Sequence, residues 1–376
     1  MKSKTTYLKI GLIILAAAVP LSFWAQQYFK FIEIKPLEGA AVYAQPDSLS
    51  VSRWFEASYQ EKTNGYLNEN FGFRNWFVRG HNQLMYSLFE QTNTNGVVVG
   101  KNGYLFEDWY IQTEKGQDFI GNDSVFRQLN RVQQLTDTLN KLGKTLLIVL
   151  APGKAHFYPE HIPDRFKVEN DTTNYQCFSE NSKKLSINLL DLQSHFLNEK
   201  ESLPYPLYSK NGTHWSYYGM CLAADTLIRF IEEKHEVDMN NPIWSKIEQS
   251  LERSYDYDIA TAMNLLSPMK KKMMGYPNIH FEIMDSLEKP KVLVVADSYY
   301  FGMFNFGIAQ AFGNNRLRYY NKQILPDSYT KEISVNDVSL KKEIADNDVF
   351  VVISTDANLR RFSWGFIEDL YELYFP

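Results

Sequence analysis

The chain has 376 residues, 44% of them hydrophobic and 15% aromatic, enough apolar surface to bury a sizeable core and too much for a disordered segment. A formal net charge of −5, with Lys and Arg scattered and no basic stripe, excludes the electrostatic footprint of a nucleic-acid binder. Cys177 and Cys221 are the only cysteines, and the 7 histidines show no HxxxH or HxH spacing, which excludes a disulfide framework and a zinc site. The two thiols read as small buried side chains, with a single bridge between them left open.

In chain order, Lys2, Lys4 and Lys9 precede an uncharged, mostly apolar stretch from Ile10 to Ala25 that ends at Gln26-Gln27. A basic flank before an apolar run marks an export signal. The run falls just short of the roughly 20 residues that cross a bilayer. Gln26 and Gln27 in the headgroup layer, with Tyr28 and Phe29 beside them, would extend it into a signal anchor, and cleavage after the small residues is the alternative. Residues 1–30 are thus an anchor or signal peptide, 31–60 a spacer containing Pro36 and Pro46, and 61–376 the globular part.

Irregular helical spacing from Trp54 to Phe89, broken by Gly65 and Gly72, predicts two short helices. Asn102-Gly103 between apolar runs predicts a hairpin. Val125, Leu129, Val132, Leu135, Leu139 and Leu142 step by three and four, so the spacing predicts a helix that starts at a Ser124 cap and stops at Gly143. The runs Thr145–Leu150, Lys291–Ala296 and Asp348–Ile353 are continuously apolar, as strands buried on both faces are, and each ends in small or polar residues. With a short strand over Ile187–Leu192 and a long helix over Ser216–Glu233, the pattern is a three-layer α/β/α domain with a mostly parallel sheet. Residues 236–290 are the least readable and are taken as an insertion or cap, with Met263, Met269, Met273 and Met274 as adaptable packing.

Chemistry concentrates beyond the carboxyl ends of such strands. Ser298 follows a buried strand directly, where main-chain N–H groups are free to face a substrate oxygen, the requirement of an acyl-transfer nucleophile. His214 lies in a turn with Asn211-Gly212, just before the helix at Ser216. It serves either as a general base, its ordinary pKa being close to neutral, or as a packing and capping residue.

Taken together, Gly212-Thr-His-Trp215, Ala296-Asp-Ser-Tyr299, Val99-Gly-Lys-Asn-Gly-Tyr-Leu-Phe106 and the run from Pro152 to Pro163 resemble the SGNH hydrolase-like domain of alginate O-acetyltransferases of the AlgX/AlgJ type, over about residues 66–365. The resemblance implies transfer of acetyl groups onto an exported polysaccharide through an acetyl-Ser intermediate, with no cofactor. It assigns Ser298 as nucleophile, His214 as base and Asp297 as support of the nucleophile turn. It implies the periplasmic side of the inner membrane, or the periplasm if the signal is cleaved. A polysaccharide is the implied acceptor, and a multi-pass membrane protein the donor partner, since no acetyl-CoA or nucleotide loop is recognisable.

One departure matters. The family carries a carboxylate two residues before the His, where this chain has Gly212. Another acceptor must hold the imidazole, and Asn211, a backbone carbonyl or Asp356 are the candidates. Tyr299, Trp215, Lys154, Asn358 and Arg360 are expected as substrate or oxyanion contacts, although Lys154 also reads as a solvated or helix-capping charge, and Tyr158-Pro159 as a loop dock. Glu160 shares that motif without a derivable role. Two other functions stay open: an exported carbohydrate or lipid esterase with the same site, and a catalytically impaired polysaccharide-binding or assembly subunit.

Overall fold

The computed structural model of the chain describes residues 4–39, 44–166, 172–325 and 333–376. By internal contacts the chain divides into two units, one of residues 1–95 with 260–269 and one of residues 96–259 with 270–376.

In the first unit α1 (Lys4–Phe29) continues four residues past Ala25 and contains Pro20. Its 26 residues reach about 39 Å at 1.5 Å per residue, more than the roughly 30 Å hydrocarbon core of a bilayer. Among the described residues it is the one helix long and apolar enough to cross a membrane. Gln26 is buried: its amide binds both the N–H and the C=O of Ile32, at 3.1 and 2.6 Å, and closes the end of the helix. The stretch expected as spacer already holds a short helix, Val51–Phe55, and the start of α2 (Ser58–Glu69); α3 (Arg74–Phe89) follows, with Gly72 between α2 and α3. A Cβ at Gly72 would stand 2.4 Å from the carbonyl oxygen of Phe23, so α1 approaches this turn closely. Phe23 packs there against Phe71, Phe73 and Phe77.

The second unit opens with the hairpin of β1 (Val97–Val99) and β2 (Leu105–Glu107). Asn102 and Gly103 both have positive φ, as the dipeptide requires, but the connection is longer than two residues and closes through Gly100 N–H to Tyr104 C=O. After a short helix over Asp108–Glu114, α4 (Asn122–Asn140) begins after Gly121 and not at a Ser124 cap; the Ser124 hydroxyl accepts from Arg127 instead. Then come β3 (Thr145–Ala151), β4 (Leu189–Asp191), α5 (Tyr217–His235), the antiparallel pair β5 (Ile247–Leu251) and β6 (Met273–Pro277), β7 (Lys291–Ala296), α6 (Ser298–Phe306), β8 (Asn314–Tyr319), β9 (Gln323–Leu325), β10 (Ile333–Ser334), β11 (Val349–Thr355) and α7 (Phe366–Tyr374).

Among the described residues, seven strands form the main sheet in the order β10-β9-β8-β7-β11-β3-β4. The five from β8 to β4 run parallel, and β9 and β10 add an antiparallel edge. The continuous apolar runs have a direct cause. Leu147, Val149, Val292, Val294 and Val351 face one core with Ala223, Leu227 and Ile231 of α5, while Leu146, Ile148, Leu293, Val295 and Phe350 face another with Leu129, Val132 and Leu135 of α4 and Ile367 and Leu370 of α7. Both faces are covered, so alternation disappears and three layers result. Cys177 and Cys221 are both free and buried, without a bridge.

Candidate active site

β7 and β11 are adjacent and parallel, so their carboxyl ends lie side by side. That placement brings Asp297 to the residues after β11. Its Oδ1 caps α6 by accepting from Tyr299 N–H at 3.0 Å, and its Oδ2 accepts from Thr355 N–H, Thr355 Oγ1 and Asn358 Nδ2 at 3.0, 2.8 and 2.8 Å. Asp297 is fully enclosed, and every one of these donors fixes the turn that presents Ser298. Asn358 is thereby corrected: buried and spent on Asp297 and Thr355, it does not face a substrate. Arg360 is exposed, and its charge bears on Asp118.

His214 meets Ser298 from the turn before α5. Its Nε2 lies 2.9 Å from Ser298 Oγ, and its Nδ1 lies 2.8 Å from Oδ2 of Asp258. The carboxylate therefore fixes the tautomer: Nδ1–H donates to Asp258, and Nε2 is left to accept the serine proton. Asp258 is held in turn by Thr213 N–H at 2.9 Å and Ile259 N–H at 2.7 Å, both to Oδ1. Burial pulls the imidazole pKa down, but the hydrogen bond and charge of Asp258, with the charges of Glu107 and Asp297, outweigh it and hold the pKa above its ordinary value.

None of the three expected acceptors orients His214. Asn211 donates to Glu252 and to the carbonyl of Lys270. Asp356 is buried with its Oδ1 on Ala357 N–H, and burial pushes its carboxyl up to about 7. Asp258 comes from the stretch that the sequence pattern leaves unread, because β5 beside it is almost wholly exposed and shows no apolar alternation. The signal available was chemical: Gly212 lacks a side chain, so a carboxylate from elsewhere in the chain has to reach the imidazole. The space beside Gly212 is in fact taken. A Cβ there would stand 2.2 Å from the carbonyl oxygen of Tyr255, so the segment that supplies Asp258 also occupies the volume of a side chain at 212.

Lys154 is neither solvated nor a cap. It is 1% exposed, and its ammonium donates to the carbonyls of Leu105, Lys210 and Gly212 at 2.7, 3.0 and 2.7 Å, tying β2 to the loop that carries His214. Burial lowers its pKa to about 7, against the opposing pull of Asp258 and Glu252. Tyr299 is likewise a brace: its hydroxyl donates to the carbonyl of Thr213 at 3.1 Å, and its ring packs against His214 and Trp215. Trp215 is almost fully enclosed. Tyr158 packs in the cluster of Tyr104, Phe157 and Tyr208, and Glu160 pairs with Lys200 at 2.9 Å.

A further group that the sequence did not single out faces the nucleophile. Tyr320 follows β8 with φ 49°, and its N–H binds the carbonyl of Ala296 at 2.8 Å. Its phenol lies by Ser298; burial and the nearby Asp297 charge push its pKa up to about 12, so it keeps its proton at neutral pH. A serine hydroxyl on an imidazole that a carboxylate orients is the arrangement of an acyl-transfer nucleophile.

The chain is 31% identical over 157 residues to a protein of Pseudomonas aeruginosa named probable alginate O-acetylase AlgJ, covering 42% of this chain and 38% of that protein. It is 26% identical over 196 residues to the protein of the same name from Pseudomonas syringae pv. tomato, covering 52% and 48%. The chain thus spans less than half the length of these two relatives. The solved O-acetyltransferase domain of Pseudomonas putida AlgJ is similar at 18% identity and a TM-score of 0.49, over 74% of this chain and 99% of that domain. Residues 97–300, more than half of the chain and inclusive of His214, Asp258 and Ser298, match the family described as SGNH hydrolase-like domain, acetyltransferase AlgX, and the chain belongs to that family.

Proposed function

We propose that the chain is an O-acetyltransferase that modifies an exported cell-surface polysaccharide at the periplasmic side of the inner membrane. The observation that carries the proposal is the continuous hydrogen-bond line from Ser298 Oγ through His214 to Asp258. In the first half-reaction Ser298 Oγ attacks the acetyl carbonyl of the donor while His214 Nε2 takes the hydroxyl proton. The oxyanion develops beside Ser298 N–H and the Tyr320 phenol, and the imidazolium is held by Asp258. Collapse breaks the donor's carbon–oxygen bond, and His214 returns the proton to the departing group. In the second half-reaction an acceptor hydroxyl loses its proton to His214 and attacks the acetyl carbon; the Ser298 Oγ–acetyl bond breaks, His214 returns the proton to Oγ, and an ester is left on the glycan.

The relatives' printed name, alginate O-acetylase, supports a polysaccharide acceptor, and an acetyl donor handed over by a multi-pass membrane partner fits a chain without a recognisable nucleotide loop. With water in place of the glycan, the same site is an esterase. The impaired-subunit reading rested on Gly212, and Asp258 at Nδ1 removes that motive. The test is peptide mapping by mass after exposure of the full chain to 4-nitrophenyl acetate. One acetyl on the Ser298 peptide, absent in Ser298→Ala, is expected; equal labelling of both proteins would sink the proposal.

A further inference from the structure

Beside His214 lies a cleft of about 410 Å³, within the range of roughly 300–1,000 Å³ typical of small-molecule sites. It is lined by Tyr217 of α5 and Phe306 of α6, both half-buried, and by Trp215 of the turn before α5 and Tyr276 of β6, both almost fully enclosed. Tyr217 stands 5.8 Å from Tyr276 and 6.5 Å from Phe306, ring to ring. The guanidinium of Arg253, half exposed, lies 3.9 Å over the Tyr276 ring. Tyr255 also lines the cleft, and its ring is 5.7 Å from that of His214, so one side chain separates an occupant from the general base.

Asp256 decides what the occupant is. It lines the cleft and is 1% exposed. Its Oδ2 accepts from Tyr276 Oη at 2.7 Å, while Oδ1 is enclosed without a hydrogen-bond partner. The Tyr217 main-chain N–H faces the same carboxyl. An enclosed acceptor left unmade costs about 1–3 kcal/mol, and an apolar occupant would leave it so. A ligand with a flat apolar face for the rings and hydroxyls at its rim satisfies both the walls and the carboxyl, and a pyranose has that form.

Resting on the acetyltransferase reading, we propose that this cleft is the acceptor subsite, where a sugar ring packs on Tyr217 and Phe306 and donates a hydroxyl to Asp256, with Arg253 holding its rim. Burial pushes the Asp256 carboxyl up to about 7 and the Glu252 charge adds to the shift, opposed by the Tyr276 hydroxyl; a donating sugar hydroxyl favours the ionised form.

The experiment uses the full chain in detergent, 4-nitrophenyl acetate as donor, and mannuronate hexasaccharide or cellohexaose as acceptor. Acetylated saccharide, released acetate and acetyl-Ser298 peptide are measured for the wild type, Asp256→Asn, Arg253→Ala and Ser298→Ala. Arg253 is half exposed, so its variant guards against a folding failure at buried Asp256. The expected result is a fall of at least tenfold in acetylated saccharide relative to released acetate in both cleft variants. An unaltered ratio overturns the subsite while the nucleophile reading stands. Loss of acetyl-Ser298 formation in place of transfer assigns the cleft to the donor and also overturns it. Acetyl-Ser298 without acetylated saccharide in the wild type rejects an acceptor subsite, and no acetyl-Ser298 in the wild type rejects the nucleophile reading itself.

Discussion

At the scale of single residues, the electrostatics of His214 set how its activity responds to pH. The base must be neutral to take the Ser298 proton, so the rate falls as pH drops through the imidazole pKa. Burial opposes the charged form, yet the Asp258 partnership more than reverses it, and the pKa stands above the ordinary imidazole value. The acid limb of kcat/KM therefore lies at higher pH than an isolated imidazole would give. Asp258→Asn removes the stabilising charge and leaves burial in force, so the limb moves to lower pH. The same change frees the wrong tautomer, and a serine protease losing its equivalent carboxylate falls by about 10⁴ in kcat. A pH–rate profile of 4-nitrophenyl acetate turnover for both proteins checks both effects; an unmoved limb with wild-type rate would show that Asp258 does not orient the base.

At the scale of elements, the orienting carboxylate and the glycine form one device. The turn from Arg253 to Asp258 lays its backbone against Gly212, and the same turn delivers Asp258 to His214. Gly212→Asp, which restores the spacing of the family motif, is expected to lower activity at least tenfold. It is also expected to destabilise the chain by more than the roughly 1–3 kcal/mol of ordinary overpacking, because the obstacle is a main-chain carbonyl. Thermal unfolding and ester turnover measured together check this, and a variant as active and stable as the wild type would contradict it. This coupling also explains what the sequence hides. Strands β3, β7 and β11 are legible because both faces are apolar, and Ser298 and His214 because their neighbours form motifs. Asp258 lies 44 residues from His214 in the chain, in a segment whose adjacent strand buries too little to show a period. Lys154 misleads for a related reason. A lysine beside a glycine reads as solvated, and only the fold reveals three carbonyls converging on its ammonium.

At the scale of the whole molecule, the site chemistry and the first helix make separate demands. On the proposed function the acceptor is met outside the cytoplasm, and α1 fits that placement: it is long and apolar enough to cross a bilayer, and most of its apolar side chains are exposed. Lys2, Lys4 and Lys9 on its leading flank favour retention of that end in the cytoplasm. Trp24, Tyr28 and Phe29 remain exposed at its other end, where amphipathic rings suit the interface. In the proposed orientation the residues after α1 lie on the periplasmic face. Proteinase K added to intact spheroplasts is therefore expected to remove an epitope tag placed after Pro376 and to spare one placed before Met1. Carbonate extraction is expected to leave the full chain in the membrane pellet. Protection of the carboxyl-terminal tag would reverse the orientation, and release of a shortened chain into the soluble fraction would replace the anchor with a cleaved signal.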